Sequence, residues 1–212
     1  MKKMIKHTMV LPSNKGRRLK KSTGCRRNAE TSRAILQAAA AILQERGYAN
    51  FTIEEVARRS GASKSTIYRW WSNKMSLLFD CYAGEAETML EIPNFGNVEQ
   101  EIICMVRSLW KFWRETPSGQ AFRLMIAEAQ TDPSAVAEWR NRFLPERRKL
   151  LLLVLQRAAE RGELRRDIDF ETVMDIMFGH CWYRLLTGQI DDDVKVITAM
   201  VRSIVQGITR KD

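Results

Sequence analysis

Lys64, Ser65, Tyr68 and Arg69 bring ammonium, hydroxyl and guanidinium donors close together within the stretch Thr52 to Lys74, TIEEVARRSGASKSTIYRWWSNK. Donors clustered at a helix start suit the acceptor-rich base edges of a DNA major groove. The surrounding residues predict the supports that such a helix needs. Thr52 is a good N-cap and Glu55, three residues on, completes a capping box, so a helix should open at Ile53 with Val56 and Ala57 on its apolar side. Gly61 can take the positive φ that ends this helix, and Ser63 can cap a second one running from Lys64 into Trp70. Ile67 and Trp71, four apart, form its core stripe, which leaves the donors facing solvent.

Charge supports the same location. The chain has 35 Lys and Arg against 25 Asp and Glu, but residues 1–27 hold ten basic side chains and no acidic ones. Residues 28–75 carry seven basic to four acidic, and residues 76–212 carry 18 to 21. The positive field thus belongs to the front third, where it would draw in a polyanion by counterion release. Residues 1–27 also carry Pro12 and Gly16 and few large apolar residues, so they read as a basic flexible tail. That tail is either a solvated extension or an arm following phosphates beside the main site.

The elements that must position these groups are helices. Strand-like alternation is nowhere sustained across the 212 residues, so an all-α chain of two unequal domains is predicted. Ala34, Ile35, Ala38, Ala39, Ile42 and Leu43 form the stripe of a first helix stopped by Gly47. Ser72 or Asn73 opens a fourth helix through Leu77, Leu78, Cys81 and Tyr82. Further helices start at Asn97, Pro117, Asp132-Pro133, Asp169 and Asp191-Asp192, and Pro145 kinks or divides the one containing Trp139 and Phe143. The basic start lacks an apolar signal core and no apolar run reaches the roughly 18 residues of a membrane span, so no membrane association and a cytoplasmic location are expected.

Catalysis finds no footing. His7 and His180 are the only histidines, and Cys181, next to His180, would project about 100° away on a helix. Phosphate loops, metal-ligand clusters and paired carboxylates are absent from the pattern, so no enzyme, metal or cofactor is expected. Cys25, Cys81, Cys104 and Cys181 are too scattered for zinc or redox spacing and read as reduced thiols. Given the basic tail, the rival to sequence-specific binding is a sequence-tolerant DNA-binding architectural protein.

The first helix followed by Gly47-Tyr48, Phe51-Thr52, Val56-Ala57, Gly61-Ala62-Ser63, Thr66-Ile67-Tyr68, Trp71 and Lys74 resembles the DNA-binding domain of the TetR family of bacterial transcriptional repressors. Phe178-Gly179 through Thr187-Gly188 is similar to the penultimate helix of one of its subgroups. The resemblance implies a helix-turn-helix domain over residues 28–88 and an α-helical effector-binding and dimerisation domain over 89–212. It implies that Thr52, Tyr68 and Lys74 hold phosphates and that Lys64, Ser65 and Thr66 approach base edges. Arg69 is either a contact or a solvated charge, and Trp70 either touches the backbone of DNA or packs beside Trp71. Trp110, Trp113, Phe122, Trp139, Phe143 and Phe178 could line a pocket for a small apolar or cationic effector. The last two helices would pair with a second copy as a four-helix bundle, holding the reading helices about 34 Å apart on a double-stranded pseudo-palindromic operator.

Overall fold

The computed structural model describes residues 23–90, 94–191 and 193–209, with side chains from residue 29 onward. Its helices are α1 (Thr23–Arg46), α2 (Ile53–Ser60), α3 (Lys64–Trp70), α4 (Lys74–Met89), α5 (Val98–Glu115), α6 (Pro117–Ala129), α7 (Pro133–Glu138), α8 (Leu144–Glu160), α9 (Phe170–Leu186) and α10 (Val194–Ile208). Single turns, 3-10 at Tyr48–Asn50 and π at Trp139–Phe143, interrupt this series. Among the described residues extended pairing is limited to an isolated bridge between Leu164 and Thr209, so the chain is all-α.

Helix starts follow the side chains that satisfy their orphan amides. Thr52, Ser63, Asn73, Asn97, Thr116, Asp132, Asp169 and Asp193 each accept a backbone N–H two or three residues on, interactions worth about 1 kcal/mol apiece. Two expected boundaries shift. The last helix is capped by Asp193 rather than Asp191 or Asp192. The first begins at Thr23, five residues before Asn28, because unbranched Arg26 and Arg27 suit a helix despite their charge. Residues 1–22 of the basic tail lie outside the described residues.

Ile35, Ala39, Ile42, Val56, Ile67 and Trp71 close the small N-terminal core. α1 also packs on α4 and α6, and α4 packs on α6, so the second domain is built directly onto the first. Pro145 divides the helix as predicted, but the break is a π turn just before it, at Trp139–Phe143. Such a turn places an extra residue in the helix and turns neighbouring side chains to new faces.

The corner between α5 and α6 is unusually close. Buried Thr116 donates Oγ1–H to the Phe112 carbonyl at 2.9 Å and accepts the Gly119 amide at 3.0 Å. A Cβ on Gly119 would stand 2.2 Å from the Phe112 oxygen, so only glycine permits this backbone approach. Fully buried Glu101 ties α5 to α8 by accepting from Arg157 and Arg161 and takes the Gly96 amide at 3.0 Å, which satisfies a charge that burial would otherwise penalise heavily.

Candidate nucleic-acid interface and effector cavity

The turn between α2 and α3 begins at Gly61, whose φ of 69° ends α2. Ser63 then caps α3 by accepting the Thr66 amide at 3.1 Å, and its hydroxyl also meets those of Ser65 at 2.8 Å and Thr66 at 2.9 Å. Ser65 and Thr66 therefore stand at the front of α3 with hydroxyls already joined to the cap. Lys64 is exposed and ion-paired to Glu54 of α2. Tyr68 is 48% exposed, and Arg69 is exposed with no ion pair among the described residues. Ile67 and Trp71 are buried, which turns these polar groups outward.

Three predicted contacts have a structural occupation too. Thr52 accepts the Glu55 amide at 3.2 Å, but the Glu55 carboxylate binds Arg58 and Arg59 instead of returning to the cap. Those hydrogen bonds, Arg58 first, hold its carboxyl down at about 2. Trp70 is half-buried and meets Trp71 edge-on at 5.8 Å, so its packing role is the one realised here. Lys74 lies 4.2 Å from the Tyr48 ring centre and 3.3 Å from Glu128 Oε2. Tyr48 donates its hydroxyl to the same oxygen at 2.6 Å. The ammonium expected on a phosphate is thus engaged by α6, because a residue 54 positions away in sequence is folded against it.

The other end of α3 is pinned through a second chain of contacts. Trp71 donates Nε1–H to Asp80 Oδ2 at 2.8 Å, and Asp80 Oδ1 accepts from Arg142 at 3.0 Å. Arg142 also donates to the Ser76 carbonyl at 3.2 Å and belongs to the π turn. Its neighbour Phe143 is a wall of the cavity.

That cavity lies between α4, α5, α6, α8 and α9 and has a volume of about 50 Å³, room for a few waters. Trp113, Phe122, Phe143 and Phe178 line it. Trp110 and Trp139 do not. Trp110 is fully buried with Arg184 5.8 Å from its ring, and Trp139 stacks behind Phe122 at 5.6 Å. Helical periodicity puts an aromatic on a face but does not say which neighbour fills the space before it.

Several lining residues had escaped sequence reading. Tyr82, Met105 and Leu109 supply further apolar wall beside Trp182, an aromatic the sequence had also offered, and Ser108, Arg147 and Arg148 supply polar atoms. Tyr82 accepts Trp113 Nε1–H at 2.9 Å, and burial pushes its hydroxyl pKa up, so it keeps its proton. Arg148 is paired with Asp175 at 2.7 Å and with Glu171 at 2.9 Å. The lining holds Arg147 and Arg148 and no carboxylate. Arg147 and Arg148 follow the π turn within the charged run Glu146-Arg147-Arg148-Lys149, and nothing in that run signals that they line the cavity.

Elsewhere, burial pushes the Cys81 and Cys181 thiols up to about 12, a setting for inert packing rather than nucleophilic chemistry. His180 does not join Cys181; it lines a groove between α9 and α10 with Ile176, Val196, Met200 and Ile204. Among the described residues no helix is long and apolar enough to cross a membrane.

Known proteins share this organisation. Residues 35–81 match the profile described as bacterial regulatory proteins, tetR family, and residues 92–204 match that of the tetracyclin repressor-like C-terminal domain. YdeS, an uncharacterized HTH-type transcriptional regulator of Bacillus subtilis, is 31% identical over 182 residues, 86% of this chain and 91% of that protein. The DNA-binding transcriptional repressor TetR of Mycobacteroides abscessus is 29% identical over 163 residues, 76% of this chain and 85% of that one. The crystal structure of the TetR family transcription regulator SCO0332 superposes with a TM-score of 0.74 at 32% identity, covering 85% of this chain and all of that one.

Proposed function

Because the chain belongs to the tetR family of DNA-binding transcriptional regulators, we propose that it is a ligand-responsive dimeric repressor that leaves a palindromic operator when a small apolar effector enters the cavity. The observation that carries this reading is the front of α3, where Lys64, Ser65, Tyr68 and Arg69 are exposed above a buried Ile67 and Trp71. Lys64, Ser65 and Thr66 approach base edges; Thr52, Tyr68 and Arg69 hold phosphates; Trp70 supports Trp71. Lys74 reaches phosphate by exchanging Glu128 for it.

Members of this family act as dimers. The proposed interface runs along α9 and α10, where Ile176, Tyr183, Leu186 and Val194 leave large apolar surface exposed. Such a dimer acts in the cytoplasm, where the operator is. The small cavity supports the ligand response: a guest larger than a few waters must part the walls, and so binds an opened state better than this one. Phe143 and the adjoining Arg142–Asp80–Trp71 contacts then carry the opening to α3. The repressor sense is supported by the M. abscessus relative, a DNA-binding transcriptional repressor.

Selection of bound sequences from a random duplex library tests the proposal. A twofold-symmetric consensus is expected, and Lys64→Ala should lose about 1–3 kcal/mol on that consensus while leaving unrelated DNA little changed. Recovery of no preferred sequence would instead establish the architectural alternative.

A further inference from the structure

Of the polar groups in the cavity, Arg148 is met by Asp175 and Glu171, whereas among the described residues the Arg147 Nε and the Tyr82 proton meet no acceptor. Arg147 lines the cavity, its Nε is buried without a hydrogen-bond partner, and among the described residues no carboxylate pairs with it. The Phe143 ring lies 6.0 Å from its guanidinium carbon. Tyr82, only 2% exposed, accepts from Trp113, and none of the hydrogen bonds of the described residues uses its own proton. Arg147 and Phe143 also line a surface cleft that holds Asp80, Glu87 and Glu146, none of them within ion-pair distance of the guanidinium. A guanidinium whose Nε is buried without an acceptor is incompletely satisfied, and so is a buried hydroxyl whose proton meets no acceptor.

Both deficits are cured by the same guest. The Nε and Nη edge of a guanidinium matches the two oxygens of a carboxylate, and a nearby phenol can donate a third hydrogen bond. The remaining surface, including Leu109, Phe122 and Phe178, suits a hydrocarbon or aromatic body. We propose that the effector is an apolar acid, its carboxylate held by Arg147 and the Tyr82 hydroxyl and its apolar part threaded among the aromatic rings. This rests on the ligand-responsive reading above and names the chemical class that the same site selects.

The test holds shape constant and changes the head group. Octanoate, octanol and octylamine are titrated against the full-length protein by calorimetry and by tryptophan fluorescence, with the straight-chain acids from hexanoate to dodecanoate setting the best length. At that length the acid is expected to bind roughly tenfold to a hundredfold more tightly than the matched alcohol, as a charge-assisted hydrogen bond allows, and the amine more weakly than both. Arg147→Met should abolish the preference of acid over alcohol while retaining alcohol binding and the circular dichroism of the folded chain; Arg147→Lys should restore part of it. Tyr82→Phe should reduce the acid preference several-fold.

An acid that binds no better than its alcohol or amine, a full set of acids that fails to bind, or an Arg147→Met protein with unchanged preference would each overturn the assignment. Operator binding is measured in parallel without ligand. A protein that keeps its sequence preference but releases DNA to the alcohol or amine alone remains a ligand-responsive regulator whose effector is not an acid. Loss of any sequence preference would count against the regulator reading itself.

Discussion

Replacing Asp80 tests whether the end of α3 is held by a hydrogen bond to an indole or by an ion pair. Trp71 is 4% exposed and donates Nε1–H to the carboxylate at 2.8 Å. A hydrogen bond to an ionised acceptor contributes about 1.5–3 kcal/mol. The Asp80–Arg142 pair, with side chains 36% and 46% exposed, adds at most about 1 kcal/mol after solvent screening. Asp80→Ala should therefore lose about 2–4 kcal/mol, and Asp80→Asn, which keeps a neutral acceptor for the indole, about half of that. With a urea slope of about 3 kcal/mol per molar, the midpoints should fall by about 1 M and 0.5 M when protomer concentration is fixed. Arg142→Met, which also removes the bonds to the Ser76 carbonyl and Glu138, should cost about 1–2 kcal/mol. Operator affinity should follow the same order, since fraying of α3 removes the fixed placement of Tyr68 and Arg69. Equal losses for Asp80→Asn and Asp80→Ala, or an Arg142→Met loss as large as that of Asp80→Ala, would refute the reasoning.

Gly119→Ala should destabilise by about 3 kcal/mol or more in a thermal melt, because the new methyl meets backbone that cannot yield; a neutral effect would mean that the α5–α6 corner is looser than described. Ser63→Ala should cost about 1 kcal/mol and weaken operator binding, with Ser63→Asp recovering the stability, as read by denaturation and gel shift. Glu55 has its carboxyl held near 2, below the ordinary 4.5, so its contribution is complete above about pH 4.5 and is lost as pH falls toward 2. The stability difference between the wild type and Glu55→Gln should shrink across that window, and a difference that stays constant would show the arginine pairing to be inconsequential.

Local chemistry was legible where one residue settles its own neighbourhood. Thr52, Ser63, Asn97 and Asp169 announced their helices because a short polar side chain must answer the next amides, whatever the tertiary fold. The same reading placed the helix-turn-helix and the apolar side of α3. It could not place partners that meet only after folding. Lys74 and Glu128, or Trp71 and Asp80, are neighbours in space whose pairing leaves no periodic trace. The cavity shows the same limit in another form. Trp110 and Phe178 looked equivalent as aromatics at helical spacing, yet only Phe178 reaches the cavity. Arg147 was hidden for the opposite reason, since a charged residue in a charged run gives no sign of facing inward.

The glycine corner has a mechanical meaning. Where α5 turns into α6 there is no cushion of side chains, so the helices form a stiff elbow rather than a compliant stack. Met105, Leu109 and Trp113 put one arm of that elbow against the cavity, and Glu128 sits near the tip of the other, about 13 Å beyond Gly119 at 1.5 Å per residue. Swelling of the interior would swing the tip instead of being absorbed at the joint, and the grip on Tyr48 and Lys74 would move with it.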